Sequence, residues 1–318
     1  MKKVLITGGA GFIGSNLAEA LLNNPAVELV RVMDNFSTGY QHNIDEFLRH
    51  PKFEFVEGDI RNYDDVFKAV KDIDVISHQA ALGSVPRSLK DPMTSNNVNV
   101  LGSMNVFHAA KELHIDRVVY ASSSSVYGDD PLSPKEEDRL GNVLSPYAAS
   151  KRSIELYAKA FSNVYPFKFI AMRYFNVFGP RQNAQGAYAA VIPQFITAIL
   201  KGDQPTIFGD GTQTRDFTYI DNVLQMNIKA LSTDNKDAFN RYYNVACGAT
   251  TSLNRVYDIL AACAKTEIRP IYGESRQGDI KDSLANIELV KRYVDYNPEI
   301  KIEEGLIKTF EWFKANDR

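Results

Sequence analysis

Short apolar runs at residues 3–7, 29–33, 53–56, 75–78, 118–121 and 169–173 are separated by stretches compatible with helix, the clearest at 12–22 and 147–164. This alternation constrains the fold more than any other feature. Runs of this length suit strands, and runs without polar alternation suit strands covered on both faces. Strand–helix–strand repetition requires crossover connections, expected to be right-handed, and hence a parallel sheet. The expected class is α/β, a doubly wound parallel sheet. After residue 176 the rhythm is broken by Gly179, Pro180, Gly186, Pro193, Gly202, Pro205 and the run Gly209-Asp210-Gly211. A smaller mixed α/β lobe is therefore expected over one end of the sheet. Residues 217–231 return to a long amphipathic pattern, so the division is discontinuous: 1–175 plus about 217–246 for the sheet domain, about 176–216 plus 247–318 for the lobe.

The 318 residues carry a net charge of −3 and no run of Lys and Arg, which argues against a nucleic-acid partner. The two cysteines, Cys247 and Cys263, form no C-x-x-C pair, and the five histidines show no H-E-x-x-H spacing. Neither a disulfide framework nor a metal site is expected. The apolar run after the first lysines ends at Ile6, too short for a secretory segment, and no stretch approaches a membrane span. A cytoplasmic protein without a membrane partner is expected.

Between the first strand and first helix stands TGGAGFIGSNL, residues 7–17, with glycines at 8, 9, 11 and 14. Such a turn lets the backbone approach a pyrophosphate whose charge the helix N-terminus meets. Asp34, 20 residues beyond Gly14 and closing the second strand, is placed to accept from ribose hydroxyls. An acid there favours NAD over NADP, whose 2′-phosphate it would repel; Arg31 is a weaker counter-signal. Asp59 either reaches the adenine end or caps a helix over 62–71.

YASSSSVYG, residues 120–128, ends a strand, and SPYAASK, residues 145–151, opens a helix with Tyr147 and Lys151 one turn apart. No other Tyr of the chain has Lys four residues on. Together with TGGAGFIG and HQAA (78–81), these segments resemble the extended short-chain dehydrogenase/reductase family, a Rossmann fold. The resemblance implies a catalytic set of Ser123, Tyr147 and Lys151, with Ser124 and Ser125 beside the hydroxyl position. A free Tyr, with a pKa near ~10, is too weak a base at neutral pH. The Lys151 ammonium and a positive nicotinamide ring would both favour its phenolate. For NAD the resemblance implies Gly8, Gly11, Phe12 and Ile13 at the turn, and Asp34, Asn35, Ser37, Thr38 and Gly39 as a clasp over the adenosine ribose. Asp59 and Ile60, then Gln79, Ala80, Ala81 and Asn99, and finally Tyr174 and Val177 complete that set.

RYFNVFGPRQ (173–182), GAYAAVIP (186–193), GDGTQTRDFTYIDN (209–222) and RQGDIKDS (276–283) narrow the resemblance to the UDP-hexose 4-epimerases, over nearly the whole chain. They imply Asn176, Arg215 and Arg276 at the diphosphate-sugar and Asp279 at the uridine ribose. Arginine suits phosphate because its fork pairs bidentately. Gly83, Ser84, Gln182 and Ala190 match the subgroup that prefers N-acetylated sugars, and the resemblance places Val191 at the substrate as well. Ser283 stands where members restricted to UDP-glucose and UDP-galactose carry Tyr. The implied reaction oxidises C4, turns the 4-keto sugar and returns the hydride to its other face. UDP-glucose/UDP-galactose and UDP-uronic acids are the alternative substrates. A dehydratase would need an acid and a base where Ser124 and Ser125 stand. The family's four-helix pairing implies a homodimer through 93–113 and 147–164, where Val98, Leu101, Val106 and Phe107 cover more than one helix face.

Overall fold

The computed structural model describes residues 2–184, 189–274 and 282–316. Six strands, β1 (Lys3–Thr7), β2 (Leu29–Asp34), β3 (Phe53–Glu57), β4 (Val75–His78), β5 (Arg117–Ser123) and β6 (Phe169–Tyr174), join Arg241–Val245 in one sheet. Its order is Arg241–Val245, β6, β5, β4, β1, β2, β3, and every pairing is parallel.

The unbroken apolar runs follow from two separate cores. Val4, Ile6, Val119, Ile170 and Met172 pack on one face with Leu17 and Leu21 of α1 (Phe12–Leu22) and Val223 and Met226 of the helix Ile220–Ser232. Leu5, Val118, Tyr120, Phe169 and Ala171 pack on the other with Val66, Val70, Phe107 and Ile154. Successive residues of a strand point to opposite faces, so a strand serving both cores is apolar along most of its length, with its polar residues gathered toward the carboxyl end, as at Thr7, His78 and Arg173.

The stretch 93–113 is not one regular helix. Pro92–Asn96 leads into a wide turn with i→i+5 bonding over Asn97–Gly102, and Ser103–Glu112 resumes the α-helix. Val106 and Phe107 are fully buried against the chain's own sheet, so they are not part of an outward face. Leu101 is 48% exposed. Beyond β6, small strands pair in short sheets: Val177–Phe178 with Thr218–Tyr219, Thr206–Phe208 with Ile271–Gly273, and Thr214–Arg215 with Thr251–Ser252 and Asp282–Ser283. No helix among the described residues is long and apolar enough to cross a membrane.

Candidate active site

The strand order reverses at β1, which pairs β2 on one side and β4 on the other, and ligands collect at the carboxyl ends beside such a reversal. A cleft of about 500 Å³ lies there. Its floor is the glycine turn. Gly8 has φ +71°, and a Cβ on it would stand 2.7 Å from the backbone of Ala80; one on Gly14 would stand 2.2 Å from the Gly8 carbonyl oxygen. Helix α1 starts without a side-chain cap or an acidic residue in its first turn. The N–H groups of Phe12, Ile13 and Gly14, which the helix cannot satisfy itself, belong to residues lining the cleft. That is a seat for an anion.

Asp34 is buried at the end of β2; its Oδ2 accepts from Ala10 N and its Oδ1 from Phe36 N, each at 2.9 Å. Burial holds its pKa above the ordinary value despite these bonds. Lone pairs remain for hydroxyl donors. Arg31 gives no support to a 2′-phosphate: its guanidinium donates to the carbonyls of Ala69 and Lys71 and pairs with Glu54. Asp59 does not cap the following helix. Asn62 does, accepting from Asp64 N, while Arg61 grips the Asp59 carboxylate and holds its pKa at about 2. Asn35 donates to the same carboxylate at 2.9 Å, tying the loop after β2 to the end of β3.

Ser37, Thr38 and Ile60 line the cleft, as do Ala80, Ala81 and Val177. Gln79 and Tyr174 line it too, their side chains joined at 3.1 Å over the buried Asn227. Gly39 and Asn99 are not among the residues that line the cleft. Gly39 packs on the glycine turn, where a Cβ would meet the Ala10 carbonyl carbon at 2.8 Å. Asn99 is buried; it accepts from Leu82 N at 2.7 Å and donates to Ser150 Oγ at 3.0 Å, bracing the loop after β4 against the catalytic helix.

The helix Pro146–Val164 is started by Ser145, whose side chain accepts from Ala148 N, with Pro146 at its first position. Tyr147 and Lys151 therefore share one face, and both line the cleft with Ser123 from the end of β5. The Ser123 side chain faces the Tyr147 hydroxyl and favours its phenolate. Lys151 Nζ donates to the Ala121 carbonyl at 2.8 Å, and burial lowers its pKa to about 8 against the charge of Glu155. Burial raises the Tyr147 pKa, and the Ser123 side chain offsets this only in part. Beneath them His78 bonds Thr7 and Ser103, and burial, then the nearby Lys151, hold its pKa at about 3, so it stays neutral.

On the sugar side, Gly83 and Asn176 line the same cleft, Asn176 at φ 36° and donating to the Asp216 carbonyl. Ser84 caps the helix Val85–Lys90 at φ 92°, outside the cleft lining. Ser124 and Ser125 lie in the short 3₁₀ segment Ser124–Tyr127 and are not among the residues that line the cleft. Gln182 donates to the Val177 carbonyl, and Ala190 and Val191 open the helix Val191–Lys201. Ser283 pairs in register with Arg215, and its carbonyl accepts from Asp216 N at 2.8 Å. Arg276 and Asp279 lie outside the described residues.

The model of the NAD-dependent epimerase/dehydratase family matches residues 4–246. The chain belongs to that family. A UDP-N-acetylglucosamine 4-epimerase from Methanobrevibacter ruminantium, solved with UDP-N-acetylmuramic acid, superposes with a TM-score of 0.93 at 40% identity over 99% of both chains. A Bacillus cereus UDP-glucuronic acid 4-epimerase, solved with UDP-glucuronic acid and NAD, gives 0.91 at 32% identity over 99% of this chain and 100% of that one. A Methanocaldococcus jannaschii protein named provisionally as a UDP-glucose 4-epimerase is 38% identical over 99% of both. NAD is this family member's cofactor, and the uncapped α1, the Gly8 turn and Asp34 fit it. Sequence reasoning missed Arg61, Leu82, Thr94 and Val98, all of which line the cleft. Only Arg61 left a local trace, two residues after an acid. Among the described residues no group of three or more His, Cys, Asp or Glu could hold a metal ion.

Proposed function

We propose that this chain, as a UDP-sugar 4-epimerase, interconverts UDP-N-acetylglucosamine and UDP-N-acetylgalactosamine. Tyr147 takes the proton of the C4 hydroxyl while Ser123 holds that oxygen. Bound NAD supplies reversible hydride exchange at C4 and a positively charged ring. That ring and the Lys151 ammonium oppose the burial that keeps Tyr147 protonated. The same groups, run backwards, reprotonate the oxygen after the sugar has turned. Residues 1–175 with about 217–246 hold NAD in this reading, and the remainder forms the sugar lobe.

The observation that carries the substrate is the small side chain of Ser283 beside Arg215. A guanidinium at the diphosphate puts its strand neighbour close to the sugar, and serine leaves space there for a C2 acetamido group. The Methanobrevibacter enzyme named for an acetylated sugar supports it. Discrimination of this kind rests on about 1–3 kcal/mol, so residual turnover of UDP-glucose is expected. Ser283→Tyr should depress turnover of both acetylated sugars at least tenfold more than that of UDP-galactose, in line with about 1.4 kcal/mol per factor of ten. Side-by-side kinetics on all four UDP-sugars check this; an equal fall, or a wild type that prefers UDP-galactose, sinks the substrate assignment.

We also infer a homodimer. Leu89, Met93, Leu156 and Val164 are 63%, 68%, 63% and 71% exposed, on helices that pack beside one another. Large apolar side chains left exposed on neighbouring helices suit an interaction surface. Light scattering should give twice the chain mass of 35.6 kDa, and Met93→Glu with Leu156→Glu should halve it. A monomeric wild type at micromolar concentration would count against the pairing.

A further inference from the structure

Arg181 adopts φ 65°, a left-handed conformation that is costly for a residue with a side chain. Such a residue persists where its surroundings over-determine it. Its side chain is only 11% exposed; the guanidinium pairs with Glu19 of α1 at 2.7 Å, pairs with Glu46, and lies over the ring of Phe47. On either side, Asn16 of α1 donates to the Pro180 carbonyl at 3.0 Å, and Asn183 donates to the Tyr40 hydroxyl at 2.7 Å. Residues 180–183 thus strap α1 to the segment 40–47. Tyr40 N and Asn43 Nδ2 both donate to the Ala10 carbonyl, whose own N–H is held by Asp34. The loop carrying the cleft-lining Asn35, Ser37 and Thr38 is therefore fixed at both ends, by Asp34 before it and by the strapped segment after it.

We propose that Arg181, assisted by Asn183, is a positioning residue that holds this loop against the glycine turn and sets how slowly bound NAD leaves. A protein that returns the hydride it has taken cannot exchange its cofactor midway, and a loop closed by charge-assisted bonds supplies that retention. The proposal concerns NAD alone and stands whichever sugar is turned over. NAD-loaded protein is diluted into buffer containing an NAD-consuming enzyme, and the dinucleotide still bound is measured with time. Arg181→Gln is expected to release NAD about tenfold faster, through loss of the charge-assisted contacts to Glu19 and Glu46. Glu46→Gln and Asn183→Ala should show smaller accelerations, with Arg181→Lys between wild type and Arg181→Gln. Val294→Ala, a core truncation on the helix Glu288–Val294 with none of the strap's hydrogen bonds or ion pairs, should lower thermal stability and leave release at the wild-type rate. Wild-type release from Arg181→Gln, or equal acceleration in Val294→Ala, overturns the proposal. If Arg181→Gln does not fold, Glu46→Gln and Asn183→Ala carry the same test, and wild-type release from both overturns it.

Discussion

Tyr147→Phe is expected to retain NAD and the native fold while losing turnover by about three orders of magnitude or more, the upper range for removing a positioned acid–base group. Phenylalanine keeps the ring in place, and the main-chain bond from Tyr147 N to Ser88 Oγ at 3.0 Å is untouched. What disappears is the hydroxyl oxygen that faces Ser123 within the cleft. Bound NAD measured after denaturation, together with the initial rate on UDP-N-acetylglucosamine, separates a lost base from a lost fold. Retained activity would mean that another group accepts the proton.

The second large effect is on stability. Arg173 is fully buried at the end of β6, where Glu155 accepts from its Nε at 2.9 Å and its Nη2 at 2.8 Å. Its remaining contacts are the Glu137 carbonyl, the Tyr127 hydroxyl and the rings of Tyr127 and Tyr242. Removing one partner of a buried pair strands the other charge and costs about 3–5 kcal/mol. Glu155→Ala should therefore lower the thermal unfolding midpoint by many degrees, compared at equal NAD loading. Glu155 also opposes the effect of burial on Lys151. Without it the Lys151 pKa falls below about 8, the ammonium is lost at lower pH, and the alkaline limb of the rate profile moves toward neutrality. A midpoint within a degree of wild type, with an unmoved alkaline limb, would mean that Arg173 is compensated elsewhere.

What the chain disclosed as a string was whatever lies within one turn or one strand. Tyr147 and Lys151 meet because four residues are one helical turn. Gly8, Gly14 and Asp34 are recognisable because strand–turn–helix geometry sets their spacing, and the strands because both faces of the sheet are covered. The failures share a cause as well. The bond from Asn99 to Ser150, 51 residues away, leaves no trace in the sequence around either residue. Val106 and Phe107 look outward-facing until the sheet is placed beneath them. Arg181 carries no local signal, because Glu46 and Glu19 stand 135 and 162 positions away. The Tyr147 pKa could not be judged from the nearby lysine alone, since burial, a property of the assembled cleft, outweighs the Ser123 side chain that lowers it.

The place of Arg241–Val245 in the sheet bears on how the chain is made. Its neighbour β6 is buried along all six residues and lies between β5 and this late-arriving strand. A growing polypeptide produces β6 well before it produces the strand that covers it. In that interval Phe169–Tyr174 is a bare sheet edge rich in apolar side chains, a template for pairing with another nascent molecule. The finished protein closes that ladder with its own chain. A product terminated before Arg241 has no means of doing so, and the burden of keeping it from its neighbours passes to the cell's chaperones.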